Sequence, residues 1–365
     1  MTGPRLEIDL DKISANARIL VGRLAARGIA VTGVTKAGLG SPEIAKALLE
    51  AGVSGLGDSR IENIERLRGG IGPRPVLSLI RTPMPSQVDR IVRHADISFN
   101  TDLDVVRQLS SAAQAAGRIH GVVLMVELGD LREGIMPGDL ERIFREVLNL
   151  PNIALRGIGA NLACLSGTSP DAGNMAALSA IAVSMEAAFG VALDIVSGGN
   201  SANINWALGD TDIGRINDLR LGEAILLGRE ALERRAIDGL HTDAFALVAE
   251  VIESGIKPSR PWGTIAQNAF GETVQTADSG KIMQAILALG RQDSDPAGLI
   301  PPSGMTILGS SSDHLVLDTG GEPLSAGAEL RFGVNYTTLL RAMTSPFVAK
   351  TMMKARSQQG ALAAA

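Results

Sequence analysis

The feature that most constrains this chain is the stretch Ile29 to Gly40, IAVTGVTKAGLG, which runs straight into a helix signature. Ile29, Val31 and Val34 make a short β-branched strand with no charge until Lys36, and Ala37, Gly38 and Gly40 then break the pattern. Ser41 is a suitable N-cap and Pro42 suits the first helical position; Ile44, Ala45, Leu48 and Leu49 give one apolar stripe, which Gly52 closes. A strand that turns directly into a helix is half of a βα unit. It places Lys36 at the carboxyl end of the strand, where such folds keep their chemistry. A lysine held there among small residues can be stripped of water, leaving its amine available to condense with an aldehyde. The alternative is a solvated lysine at the mouth of a loop.

The same alternation repeats. Strands are predicted at Val53 to Gly57, Val76 to Ile80, Ala95 to Phe99, Gly121 to Val126, Ile153 to Gly159, Leu193 to Val196 and Ile216 to Leu221, with helical patterns between them. With the lysine strand this makes eight parallel strands, the number that closes a TIM-type (β/α)8 barrel. An open doubly wound sheet is the alternative, but no GxGxxG follows the first strand. Ahead of the barrel, Leu6, Ile8 and Leu10 alternate with acids as a half-buried strand, and Ile13, Ala17, Leu20, Val21 and Leu24 mark a helix to about Gly28. After Gly239 the character changes: Phe245 to Glu253, Gly280 to Leu289, Met305 to Leu308, His314 to Asp318 and Ala328 to Phe332 read as short strands of an all-β domain. The expected division is a barrel over 10–236 and a β domain formed by 1–9 with 237–365. Ser294 to Ser303, with three prolines, is expected to be a long functional loop, and the tail after Lys350 to fray.

Composition removes several function classes. A net charge of −5 with two tryptophans, one tyrosine and seven phenylalanines offers neither a cationic face nor a stacking platform for nucleic acid. The single cysteine, Cys164, cannot form an internal disulfide, and MTGPRLEIDLDK has no apolar signal core, so a cytoplasmic location is expected. No apolar run is expected to reach the roughly 18 residues that span a bilayer. His94, His120 and His241 lie at element ends without ligand spacing, so no metal is assigned.

Two glycine-rich turns could hold an anion. In SGGNSAN, from Ser197, the glycines let backbone N–H groups approach a ligand, and Ser201 adds a donor; Gly222, after the eighth strand, offers a second set of amides. Ordinary turns are the alternative.

An eight-stranded barrel with its lysine on the first strand and a β domain behind it resembles the alanine racemase fold of enzymes dependent on pyridoxal 5'-phosphate (PLP), most closely the alanine/ornithine racemase-like branch. The resemblance rests on VTKAG at Val34 to Gly38, GDSRIEN at Gly57 to Asn63, LGDLREG at Leu128 to Gly134, SGGNS at Ser197 to Ser201, RLGE at Arg220 to Glu223 and SSDH at Ser311 to His314, in that order. It implies that Lys36 carries PLP and acts as one acid/base at the substrate α-carbon. It further implies that Gly199, Asn200, Ser201, Gly222 and Glu223 bind the cofactor, whose phosphate would suit the two glycine turns, and that Arg220 faces the pyridine nitrogen. By the same resemblance Arg132 contacts the phenolic oxygen and the substrate carboxylate, and Asn161 stands where a histidine backs the pyridine-contacting arginine. Read without the resemblance, Arg220 could be a surface ion pair with Asp218 or Glu223, and Arg132 a loop arginine paired with Asp130 or Glu133.

The sequence departs from the family at the second base. Alanine racemases use a tyrosine from the partner subunit, and Thr264 stands at that place, while Tyr336 is the chain's one tyrosine. Threonine is a poor base near neutral pH. His314, beside Asp313, is the first choice, because an unperturbed imidazole titrates near pH 6.5; the alternative is that these two only close a turn, and Tyr336, Asp293 and Cys164 are weaker candidates. Gly40 replaces a phosphate-binding tyrosine, and Met125 a modified lysine that holds Arg132 in some relatives. The expected function is racemisation of an alanine- or ornithine-like amino acid, in a homodimer with shared sites. A one-base decarboxylase or D-threonine-aldolase-like lyase on the same scaffold, or a non-catalytic PLP carrier, are the alternatives.

Overall fold

Parallel strands covered on both faces must be short and almost wholly apolar, and the eight alternating segments meet that demand. The computed structural model describes residues 3–273 and 277–354. The chain divides into two compact units, Leu10–Thr242 and Met1–Asp9 with Asp243–Ala365. Strand β1 (Arg5–Asp9) opens the chain and belongs to the second unit.

The first unit starts with α1 (Leu10–Ala25), then runs β2 (Ala30–Val34), α2 (Pro42–Glu50), β3 (Gly55–Asp58), α3 (Ile61–Ile71), β4 (Leu77–Leu79), α4 (Val88–His94), β5 (Ile97–Asn100) and α5 (Leu103–Ala115). It continues through β6 (His120–Met125), α6 (Pro137–Leu148), β7 (Ile153–Gly159), α7 (Ala172–Phe189), β8 (Ile195–Ser197), α8 (Ile204–Leu208), β9 (Asp218–Leu221) and α9 (Glu223–Leu227). Strands β2 to β9 close a parallel barrel in chain order, sealed by β2 against β9 with Thr32 opposite Arg220. The open-sheet alternative is thereby excluded. Ile97, Phe99, Val123 and Met125 form an apolar cluster with Ile80 and Ile195. On β9, Leu219 and Leu221 are buried on one face, and alternation sends Asp218 and Arg220 to the other.

Helix α7 corrects one expectation. Its 18 residues have a mean hydropathy of 1.3, long and apolar enough by length and composition to cross a membrane. Here it is the crossover between β7 and β8, and it buries Met175, Leu178, Ala182 and Met185.

In the second unit, β10 (Phe245–Pro258), β11 (Lys281–Leu287), β12 (Leu299–Ile300), β13 (Thr306–Ser310), β14 (Leu315–Asp318) and β15 (Glu329–Val334) form one antiparallel sheet in the order β12-β15-β10-β11-β14-β13. Helix α10 (Tyr336–Thr344), N-capped by Asn335, and β16 (Ala349–Met353) complete it. Strand β1 is antiparallel to β10 and parallel to β16. Helix α10, β12 and β16 were not expected from sequence. The expected fraying after Lys350 fails for Lys350 to Met353, which lie in β16, and the remainder of that expectation, 355–365, falls outside the described residues. The units divide after Thr242 rather than at 236/237, because Asn16 on α1 holds the backbone of His241: its Nδ2 donates to His241 O at 2.8 Å and its Oδ1 accepts His241 N–H at 2.7 Å.

Candidate active site

Lys36 opens a one-turn 3-10 helix, Lys36–Gly38, directly after β2. The turn is fixed from behind. Thr35 donates its hydroxyl to Asp58 Oδ2 at 2.7 Å, and Asp58, fully buried at the end of β3, also accepts Asn63 Nδ2 and Arg60 N–H, each at 3.0 Å. Burial pushes the Asp58 carboxyl up, and these hydrogen bonds resist the shift. Leu39 closes the turn at φ 51°, a left-handed conformation that costs energy without glycine, so the bend after the lysine is over-determined by its surroundings. Gly40 approaches α3 so closely that a Cβ would lie 2.8 Å from the Asn63 Cβ, which accounts for glycine there.

Arg220 is buried (4 % exposed), not a surface cation. Its Nη2 donates to Ala160 O at 2.8 Å and to Asn161 Oδ1 at 3.5 Å, and Nη1 donates to the Ser197 hydroxyl. Ser197 in turn donates to Asp218 Oδ2, while Thr32 donates to Asp218 Oδ1 at 2.7 Å. The ion pair with Asp218 considered from sequence is thus buried and relayed through a hydroxyl; Glu223 is instead bonded to Arg234. Burial pushes the Asp218 carboxyl up and the Arg220 guanidinium down, and each group's charge opposes the other's shift. The Phe99 ring lies under the guanidinium, 4.9 Å from its carbon to the centroid.

The two glycine turns are one assembly. Gly199, at φ 150°, leads into Asn200, whose Oδ1 accepts Ala202 N–H at 2.8 Å. Ser201 Oγ accepts the N–H of Ala224 at 3.0 Å, which joins the turn after β8 to the first turn of α9. Gly222 lies against the lysine strand, where a Cβ would meet Val34 Cβ at 3.2 Å. Burial pushes the half-buried Glu223 carboxyl up, and the charges of Arg234 and Lys36 pull it back, so Glu223 and Lys36 share one electrostatic neighbourhood.

Comparison with known proteins decides the family. Residues 8–230 match the model described as alanine racemase, N-terminal domain. The chain is 41% identical over 355 residues to the lysine racemase of Thermotoga maritima (96% of this chain, 98% of that one), and 37% identical over 355 residues to the ornithine racemase of Acetoanaerobium sticklandii (96% and 99%). The chain belongs to the alanine racemase family. Its fold is also that of the Streptomyces coelicolor A3(2) alanine racemase, with a TM-score of 0.77 at 20% identity, covering 96% of this chain and 98% of that one.

Within this racemase barrel, Arg132 and Asn161 stand on the loops after β6 and β7. Arg132 pairs through Nε and Nη2 with Glu133, not Asp130, and this pairing together with the Cys164 thiol raises its guanidinium above the ordinary arginine value. Asn161 Oδ1 accepts Asn200 Nδ2 at 3.1 Å, while its own Nδ2 is buried without a partner. Asn200 Nδ2 also reaches Cys164 Sγ at 3.4 Å. The structure therefore brings Arg132, Asn161, Cys164, Asn200, Ser201 and Arg220 into one connected group.

His314 and Asp313 belong to the other unit, on the exposed turn between β13 and β14, with Nδ1 and Oδ1 2.9 Å apart. Ser311 N–H donates to His314 O at 2.8 Å, so the pair also closes that turn. Asp293 is buried and accepts Gly290 N–H at 2.9 Å, a turn-holding contact. Sequence reasoning passed over Ser197 and Phe99 and took Asp218 only as an ion-pair partner. The Asp-Leu-Arg spacing on β9 was a usable signal that Asp218 shares a face with Arg220, whereas nothing marked Phe99 apart from any other core aromatic.

Proposed function

We propose that this protein is a PLP-dependent racemase that interconverts the L and D forms of a diamino acid of the lysine or ornithine class. The observation that carries the reading is Lys36 at the carboxyl end of the first strand of a closed barrel that also holds a buried, ring-backed Arg220 and two linked glycine turns. The names of the near-full-length relatives support the substrate class.

The barrel residues fit a phosphorylated pyridine aldehyde. Asn161 Nδ2 is a buried donor with nothing to bond, and the Gly199 and Gly222 turns pack closely on Asn203 and Val34, which holds their backbones in place beside it. Lys36 would hold the aldehyde carbon covalently; Gly199, Asn200, Ser201, Gly222 and Glu223 would take the phosphate through backbone and hydroxyl donors. When bound, PLP supplies an electron sink that acidifies the α-proton of an amino acid. Arg220 would donate to the pyridine nitrogen without releasing its proton, which keeps that nitrogen unprotonated and favours return of a proton to carbon over side reactions. Arg132 would receive the substrate carboxylate.

Racemisation needs a proton carrier on each face. Lys36 Nζ serves one. We assign the other to His314, its ring oriented by Asp313 and by Ser311 Oγ at 3.2 Å, and supplied by a second copy of the chain in a homodimer. The Ser311 hydrogen bond holds the Asp313 carboxyl below its ordinary range, so it stays ionised beside the imidazole. Cys164 is the rival carrier, favoured by its place against Asn200 and Arg132.

The test is incubation with PLP and a panel of L-amino acids in D₂O, scoring α-deuterium and chirality. Diamino acids are expected to gain deuterium and lose optical purity together. Release of carbon dioxide or of an aldehyde, with chirality kept in the remaining substrate, would move the protein to the one-base lyases.

A further inference from the structure

Asp130 is an acid in the middle of LGDLREG, yet it is 1 % exposed. A buried carboxylate needs donors, and here they come from a different loop. Asp130 Oδ2 accepts the backbone N–H of Cys164 at 3.3 Å and of Leu165 at 3.0 Å, and Oδ1 accepts that of Ser166 at 3.1 Å. Two hydroxyls reinforce the same junction: Ser166 Oγ donates to Asp130 O at 2.6 Å and Thr168 Oγ1 to Gly129 O at 2.9 Å.

The loop that carries Asp130 is closed at its neck. Glu127 N–H donates to Ile135 O at 2.9 Å, and Ile135 N–H to Met125 O at 2.8 Å; Glu127 Oε1 accepts Gly129 N–H at 2.6 Å and Leu131 N–H at 3.1 Å. Both loops hold a non-glycine residue in the left-handed region, Leu131 at φ 54° and Ala163 at φ 58°, one residue before Arg132 and one before Cys164. Strain of this kind persists only where neighbouring contacts enforce it, and the Asp130 contacts flank both strained positions, Asp130 just before Leu131 and its partner Cys164 just after Ala163.

We propose that Asp130 is a positioning residue of the racemase: it clamps the loop after β7 onto the loop after β6, and so sets the direction of Arg132 and the place of Cys164 beside it. The inference rests on the racemase reading for its kinetic consequence, but not for its geometry. Misplacing a substrate-binding group by about 1 Å can cost on the order of 100-fold in catalysis.

The test compares wild type, Asp130→Ala and Asp130→Asn, each loaded with PLP, by steady-state racemisation and by alkylation of Cys164 with a neutral maleimide read as intact mass. Asn keeps one acceptor oxygen and Ala keeps none. The expected order in kcat/KM is wild type, then Asn, then Ala, with about 100-fold lost in Asp130→Ala. The loss is carried mainly by a raised KM, at unchanged PLP content, with faster alkylation of Cys164 in the same order. A purely structural role would lower melting temperature and PLP content without that KM split. If Asp130→Ala does not fold, Asp130→Asn decides, and a wild-type KM together with a wild-type alkylation rate overturns the proposal. Absence of racemisation in the wild type removes the racemase reading alone, because alkylation still reports on the clamp, and equal rates in all three proteins would overturn it.

Discussion

Ser201 Oγ accepts the backbone N–H of Ala224 at 3.0 Å, so the glycine turn after β8 and the start of α9 after β9 are bonded to each other as well as to the barrel. One hydroxyl therefore supports both turns assigned to the phosphate.

Ser201→Ala leaves the buried Ala224 N–H without its acceptor, at a cost of about 1–3 kcal/mol. Thermal unfolding should show the lower melting temperature, and PLP titration followed by absorbance should show affinity weakened by roughly tenfold, about 1.4 kcal/mol. Unchanged affinity would separate Ser201 from the phosphate.

Removing Arg220 strands a buried acid. Arg220→Ala takes away the charge that Asp218 feels through Ser197, and breaking a buried pair in this way costs roughly 3 kcal/mol or more. The Asp218 carboxyl already lies above its ordinary range through burial and would rise further. An acid whose folded pKa exceeds its unfolded value favours folding on the acid side, and loses that contribution as pH rises through the folded value. The stability gap between variant and wild type should narrow as pH falls, measured as melting temperature between pH 7 and pH 5. A gap that widens toward acid would contradict the buried relay.

His120 is buried on β6, with Nε2 2.8 Å from Ser98 Oγ, and burial lowers its pKa to about 4. In the unfolded chain it titrates near 6.5. The unfolded state therefore binds more protons between those values, and stability present above pH 6.5 drains away as pH falls toward 4, by about 3 kcal/mol in all. His120→Gln should flatten the stability profile across that window. A profile as steep as that of the wild type would show that other groups carry the acid sensitivity.

The second proton carrier separates by substitution. His314→Gln should abolish racemisation while Lys36-dependent exchange of the α-proton with solvent continues from one enantiomer, and Cys164→Ala should leave both within a few-fold of wild type. The reverse pattern would transfer the role to Cys164.

Much of the barrel was legible because most strands are short apolar runs followed by a helical pattern, and Lys36 stood out as the first charge after the β2 run, with glycines beyond it. Arg220 was legible as a site residue but not as a buried one: the hydroxyl of Ser197, on the neighbouring strand, is what lets Asp218 share its charge, and that pairing is set by barrel closure. Asp130 reads in sequence as a solvated loop acid, since its partners lie 34 to 36 residues away on another loop. Helix α10 and β16 were missed for different reasons. The first follows a strand with only Asn335 as its cap, and the second is uniformly half-buried, so it shows no alternation to read.

Borohydride reduction of the PLP-loaded protein followed by peptide mapping tests the central claim most directly. The expected result is a pyridoxyl label on Lys36, and no such label in Lys36→Ala. A label confined to other lysines, with Lys36 unmodified in a fully loaded protein, would contradict it.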